Sequence, residues 1–258
     1  MPRTIIIGDV HGCLDELRRL IEELGLKSED RLFFAGDLMD RGPDPVGCVR
    51  LVRELGAQMV LGNHEEKHLR FRRHEAKRAA DPTYVNPMQM FDVRATQNAA
   101  LTAEDVAWLE ACPLTITLRP GWVLVHAGLF PGKTLEEQLQ DRKLRDKVIR
   151  LCWLDEEGKM CPLEDDTAVE GPPGSKSWMS VYDGPLNVVY GHAVHSMATP
   201  RIDVRPQGVS TYGIDTGCCF GGHLTAMVIH ESDRLEFIQV PALRAYAQRR
   251  VPKPKDIT

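Results

Sequence analysis

No apolar run in this chain of 258 residues approaches the length of a membrane span, so no transmembrane helix is expected. A strand-like segment begins at Arg3, leaving no room for a signal peptide, and a cytoplasmic protein is the expectation. Cys-x-x-Cys spacing is missing. With seven cysteines, an odd number, this argues against a disulfide framework and for a reducing compartment. A charge excess is missing too: Lys and Arg number 32 against 37 Asp and Glu. The resulting net charge of −5 gives no support for a stable nucleic-acid complex. There is no internal repeat and no long linker.

What is present is a repeated local grammar. Five short apolar runs, 4–7, 32–35, 59–61, 123–125 and 187–190, each end in a glycine turn that carries metal-binding side chains. The turns read Gly8-Asp9-Val10-His11-Gly12, Gly36-Asp37-Leu38-Met39-Asp40-Arg41-Gly42, Gly62-Asn63-His64-Glu65, His126-Ala127-Gly128 and Gly191-His192. A short apolar, β-branched run ending in Gly reads as a buried strand meeting a tight turn. Ligands of open α/β sheets gather outside the carboxyl ends of such strands. Asp9, His11, Asp37, Asn63, His126 and His192 are therefore offered to one shared crevice.

Two carboxylates, one amide oxygen and three imidazoles make a mixed oxygen and nitrogen shell with no thiolate. Such a shell suits Mn, Fe, Zn, Co or Ni better than a structural zinc site, which favours Cys. Six ligands are too many for one catalytic ion that keeps an open position, but they suit two ions sharing a carboxylate. Paired ions of this kind recur in phosphatases and nucleases. The neutral Asn63 keeps the site cationic enough to attract phosphate.

The three early segments resemble the signature motifs of the phosphoprotein phosphatase superfamily of metallophosphoesterases. His126-Ala127-Gly128 and Tyr190-Gly191-His192 match its two later histidine motifs, in the same order. The stretch Ile214-Asp215-Thr216-Gly217-Cys218-Cys219-Phe220-Gly221-Gly222 narrows the resemblance further, as does Trp178 with Tyr182-Asp183-Gly184. Both resemble the bacterial branch that holds diadenosine tetraphosphate hydrolases and small phage-type and bacterial protein phosphatases. The resemblance implies an α/β, calcineurin-like metallophosphoesterase fold, with two packed mixed β-sheets flanked by helices. It implies two divalent ions, with Mn2+ expected and Fe, Zn, Co or Ni also suited. Asp9, His11 and Asp37 would hold the first ion; Asp37 would bridge to the second, completed by Asn63, His126 and His192. It further implies that His64 donates a proton to the leaving oxygen, that Asp40 orients His64, and that Arg41 clamps phosphate. Arg150, on a strand expected over 148–151, would be the second clamp. Cys218 and Cys219 lie near the expected rim and read as buried thiols.

Because the ligands span Asp9 to His192, a single catalytic domain over 1–241 is expected, followed by a basic, mobile tail over 242–258. Leu14, Leu17, Ile21 and Leu24 mark a helical stripe after the first motif. Val46, Val49, Leu51 and Leu55 mark another, and 65–78 a third. Strands are expected over 114–118, 122–125, 188–190, 224–229 and 235–240, while 79–100 and 155–177 read as irregular. The third helix is heavily basic, with Lys67, Arg70, Arg72, Arg73, Lys77 and Arg78; it reads first as a solvated face, the alternative being a contact for the outer phosphates of a polyphosphate.

The reading is a metal-dependent phosphohydrolase acting on dinucleoside polyphosphates such as diadenosine tetraphosphate. The alternative is a Ser/Thr or Tyr phosphoprotein phosphatase. A non-catalytic scaffold would dispense with His64, Asp40 and Arg41, all of which are present. Native metals, cleavage symmetry and oligomeric state stay open at this stage.

Overall fold

The computed structural model describes residues 2–90, 92–161 and 170–249. Its first half alternates β1 (Thr4–Ile7), α1 (Leu14–Leu24), β2 (Arg31–Phe34), α2 (Pro45–Glu54), β3 (Gln58–Met59) and α3 (Asn63–Ala80). Helices α4 (Asp92–Ala100) and α5 (Ala103–Glu110) then lead to β4 (Thr115–Arg119) and β5 (Trp122–Val125). Next come α6 (Leu135–Gln140), α7 (Arg142–Arg145), β6 (Trp153–Leu154), β7 (Lys176–Ser177) and α8 (Trp178–Val181). The chain closes with β8 (Asn187–Tyr190), β9 (Arg201–Val204), β10 (Ser210–Gly213), β11 (His223–Ile229) and β12 (Leu235–Pro241).

Two five-stranded mixed sheets result, in the orders β12-β11-β1-β2-β3 and β4-β5-β8-β10-β9. In the first, β1, β2 and β3 run parallel, and β11 closes antiparallel on β1 with Ile5 opposite Val228. In the second, β5, β8 and β10 are parallel, flanked by antiparallel β4 and β9. Alternation along each central strand explains the stacking. Ile6, Phe33, Leu124, Val189 and Met227 meet in the cluster between the sheets. Ile5 and Ile7 face the other way, onto Leu17, Leu20 and Val49 of α1 and α2. Val123, Val125, Val188 and Tyr190 pack the far side of the second sheet with Trp178. Strands buried on both faces read as continuous apolar runs, which is why 4–7 and 122–125 stand out in the sequence.

The helices begin and end where their caps dictate. Asp44 caps α2 by accepting from Gly47 N at 2.8 Å, with Pro45 in the first turn. Gly25 ends α1 in the left-handed conformation, its N–H donating to Glu22 O.

Three expectations change. Residues 148–151 form a turn and not a strand: Arg150 N donates to Lys147 O, and Val148 O accepts from Ala127 N and Gly128 N. Val148, Ile149 and Leu151 are buried in the third cluster, so the apolar run reflects burial without a sheet partner. The segment 79–100 is irregular only in its middle, since α3 runs to Ala80 and α4 starts at Asp92. The tail is fastened as far as Ala247. Ala242 N donates to Gly222 O, Tyr246 N to Cys219 O, and the Tyr246 hydroxyl to Glu16 Oε1. The remainder, 250–258, and the acidic stretch 162–169 within 155–177 lie outside the described residues. Among the described residues, no helix is long and apolar enough to cross a membrane.

Candidate metal centre

Each of the five glycine turns leaves the carboxyl end of β1, β2, β3, β5 or β8, all of which have parallel neighbours. The first two turns are laced together: Val10 N and His11 N donate to Asp37 O, and Gly12 N to Leu38 O. Five side-chain-bearing residues here take a positive φ: His11 (45°), Asp37 (51°), Asp40 (68°), Arg41 (67°) and His192 (65°). Such backbone costs about 1–3 kcal/mol per residue and persists only where its surroundings over-determine it. Glu65 supplies much of that determination. Its carboxylate, fully buried, accepts from Asp37 N at 2.9 Å, Leu38 N at 2.8 Å and Met39 N at 2.9 Å.

Asp37 stands at the middle of the crevice. Its ligand oxygen groups with His11 and His64 on one side, and with His126 and His192 on the other; within each group the atoms lie within 4.8 Å of one another. Asn63, the first residue of α3, places Oδ1 2.9 Å from both His126 Nε2 and His192 Nδ1. His126 Nδ1 donates to Ala35 O at 2.7 Å and His11 Nδ1 to Met39 O at 2.8 Å, so a neutral ring turns its Nε2 lone pair into the crevice. Burial, followed by Arg41 and His64, pushes the His11 imidazole well below its ordinary range, toward the neutral form a ligand needs.

Asp9 Oδ2 accepts from His192 N at 2.9 Å, while Asp9 Oδ1 is buried without a hydrogen-bond partner. Burial, then the charges of Asp215 and Asp37, push Asp9 well above the usual carboxylate range. Asp37 shows the opposite balance. Burial would raise it, but His126, His64 and His11 outweigh that and hold it down. Space is kept by absent side chains: a Cβ at Gly62 would strike Asp37 Oδ1, and one at Gly191 would strike Asp9 Oδ1. A lone buried carboxylate oxygen, converging imidazole lone pairs and an amide oxygen fit divalent cations, and the donor set has room for two.

Beside this crevice His64 Nδ1 meets Asp40 Oδ2 at 2.5 Å, and its Nε2 lies 3.4 Å from Arg41 Nη2. Asp40 has two further partners that the motifs do not reveal. His68 Nε2 is 2.9 Å from Oδ1, and Arg94 Nε lies 2.8 and 2.9 Å from the two oxygens. Burial would raise the Asp40 carboxyl, but His64, His68 and Arg94 hold it far below its ordinary range. Asn98 completes the chain, its Nδ2 donating to His68 Nδ1 at 3.0 Å. His68 sits four residues after His64, the same helix face, and was legible by that spacing. Arg94 comes from a segment 54 residues away with no local signal.

Arg41 lies over the centre, Nη1 2.7 Å from His11 Nε2 and the guanidinium 5.0 Å from the Phe220 ring centroid. Arg150 is brought to the neighbouring side. Its Nη2 is 2.7 Å from Glu66 Oε2 and 3.5 Å from Asn63 O. The remaining histidines stay apart: His74 faces the Tyr84 hydroxyl, His195 faces Arg201, His223 faces Met197 O, and His230 faces Glu236. Cys218 and Cys219 are buried, and burial pushes the Cys219 thiol far up, away from its reactive form.

Residues 2–196 match the calcineurin-like phosphoesterase family. The chain is 32% identical over 242 residues to a Bacillus velezensis protein named bis(5'-nucleosyl)-tetraphosphatase PrpE [asymmetrical], covering 88% of this chain and 89% of that one. It is 29% identical over 277 residues to a symmetrical bis(5'-nucleosyl)-tetraphosphatase of Aggregatibacter actinomycetemcomitans, covering 87% and 92%. A solved structure described provisionally as a diadenosine tetraphosphatase superposes with a TM-score of 0.70 at 28% identity, covering 93% of each chain.

Proposed function

This chain belongs to the calcineurin-like phosphoesterase family, and we propose that it is a two-metal phosphohydrolase of dinucleoside polyphosphates, diadenosine tetraphosphate being the representative substrate. The observation that carries the reading is Asp37, a buried carboxylate with ligand-bearing histidines on both sides. Asp9, His11 and Asp37 would hold one divalent ion, and Asp37, Asn63, His126 and His192 the other, with Mn2+ the expected metal. When bound, such ions supply Lewis-acid charge and an activated water for in-line displacement at phosphorus.

The remaining work falls to the chain's own groups. The N-terminus of α3 meets the centre at Asp37, whose Oδ1 accepts from His64 N at 3.0 Å, so the positive dipole end supports that carboxylate. Arg41, its guanidinium held against Phe220, binds a phosphoryl oxygen, and Arg150 is the second candidate clamp. His64 holds its Nδ1–H against Asp40 and, protonated on both nitrogens, gives its Nε2 proton to the leaving oxygen, ending neutral with Nδ1–H retained. Asp40 holds that orientation, and His68 and Arg94 hold Asp40. Support for the dinucleotide class comes from the names of the relatives, which share most of this chain's length.

The deciding experiment offers the purified protein with Mn2+ three substrates, comparing kcat/KM for diadenosine tetraphosphate, a phosphoserine peptide and p-nitrophenyl phosphate. The dinucleotide should lead. Chromatography of the products distinguishes ATP with AMP from two ADP. A phosphopeptide kcat/KM far above that of the dinucleotide would overturn the reading in favour of a protein phosphatase.

A further inference from the structure

We propose that a cavity beside the metal centre, between α3 and the turn after α7, is the subsite for the part of the substrate that remains outside the metals. Its ligand would be the distal phosphates and base of a nucleoside polyphosphate. This rests on the substrate reading above. The cavity holds about 810 Å3, within the range typical of small-molecule sites. Glu66, Arg70, Arg73, Arg145 and Arg150 line it together with the apolar Leu61, Pro113 and Leu114. Asn63, Glu66, Arg70 and Arg73 follow the three- and four-residue steps of one helix face. The face that presents the amide ligand therefore continues directly into the cavity. Arg150 borders both, 3.5 Å from Asn63 O.

The polar wall is organised for an anion. Around the Glu66 carboxylate stand Arg150 at 2.7 Å, Arg73 at 3.3 Å and Arg70 at 3.6 Å. One carboxylate cannot use the donors of three guanidinium groups, each of which carries about five N–H bonds. Arg145 is paired with Asp146, and Glu110 also lines the cavity. Four arginines thus face three carboxylates here, in a chain whose net charge is −5. The excess positive charge lies where the three guanidinium groups converge on Glu66, and Arg150 among them reaches toward the centre at Asn63 O. A phosphate chain leaving the metals meets it there, and the apolar side can cover a base. Arg72 has a different task on the same helix: its Nη2 donates to Asn98 O and Leu101 O, tying α3 to the end of α4.

The test compares the wild type with the double variant Arg70→Ala/Arg73→Ala, which keeps Arg150 and Glu66 and removes only half-exposed side chains. Its thermal midpoint should stay near that of the wild type. The kcat/KM for diadenosine tetraphosphate should fall roughly tenfold more than that for p-nitrophenyl phosphate, mainly through KM, as partly screened phosphate contacts predict. ATP binding by calorimetry should weaken by a similar factor. Equal losses on both substrates, or none, with unchanged ATP affinity would overturn the subsite. Should the wild type fail to hydrolyse diadenosine tetraphosphate, the substrate reading falls alone. The ATP titration then still decides: weaker binding in the double variant upholds the subsite, and equal binding removes it.

Discussion

Glu65 contacts no proposed substrate atom, yet its replacement should disable the site. Fully buried, its two oxygens accept three main-chain N–H bonds at 2.8–2.9 Å from consecutive residues Asp37, Leu38 and Met39. Glu65→Gln keeps shape and volume. Its single carbonyl oxygen can still serve Leu38 and Met39, but the amide then points a donor at the Asp37 N–H. One charge-assisted bond, worth about 1.5–3 kcal/mol, is lost, and a buried N–H is left facing another donor. Burial and the Asp37 charge push Glu65 up to about 7, so part of what the carboxylate contributes is offset by its own desolvation. The net cost should be about 2–3 kcal/mol. At roughly 2–4 °C per kcal/mol for a domain of this size, the thermal midpoint should fall by about 4–12 °C. Since Asp37 sits at φ 51° on the turn Glu65 fastens, metal content should fall as well. Scanning calorimetry and elemental analysis of Glu65→Gln beside the wild type measure both. A midpoint within about a degree, with two ions per chain and normal turnover, would show that the turn does not need this carboxylate.

Asp37→Asn should weaken both ions and remove most activity, because one carboxylate is proposed to serve both; two tightly held ions with near-normal turnover would refute it. His64→Asn should keep its metals and lose roughly 10²–10⁴-fold in kcat on a phosphoserine peptide, whose alkoxide leaves poorly. The loss should be much smaller on p-nitrophenyl phosphate, and equal losses would contradict proton donation. Arg94→Ala should show a weaker form of the same leaving-group pattern, since Asp40 keeps His64 and His68 as partners; a uniform loss on both substrates would make Arg94 merely structural. Away from the site, the Arg3 guanidinium, with main-chain N–H groups of Lys27 and Arg3, holds the Asp30 carboxyl at about 2. A carboxylate depressed in the folded state stabilises fully above its unfolded pKa near ~3.9, and that contribution is lost as pH falls through about 2. Urea unfolding of the wild type should therefore lose about 1–2 kcal/mol more than Asp30→Asn between about pH 5 and pH 2, and parallel pH profiles would refute the pairing.

The parts of the fold that the sequence announces are those buried on both sides. Ile5, Ile6 and Ile7 can be read as a strand because neither face needs a polar residue. Strands β9 and β10 escape that reading. Arg201-Ile202-Asp203-Val204 is an exposed edge, and Ser210-Thr211-Tyr212-Gly213 exists as a strand because it pairs parallel with β8, some twenty residues earlier. The opposite error occurs at 148–151, where apolar side chains fill a cluster while the backbone turns. Short apolar runs report burial, and burial alone does not choose between strand and turn.

At the site the same division holds, for a reason rooted in backbone strain. His11, Asp37, Asp40, Arg41 and His192 occupy left-handed backbone that glycine would adopt at no steric cost. A sequence selected for stability alone would place glycine there. A carboxylate, imidazole or guanidinium at each of these positions raises the energy of the turn, so the demand for those side chains is visible in the motif itself. What compensates for the strain is distributed: the Glu65 cradle across 28 residues to Asp37, the Arg94 contact with Asp40 across 54, and the His192 N–H on Asp9 across 183. Compensation of that kind requires only a donor or acceptor of the right reach, and many sequence positions could supply one. Hence the residues that meet in the crevice could be named from the chain alone, whereas the groups that hold them in place became evident only once the strands had brought distant turns together.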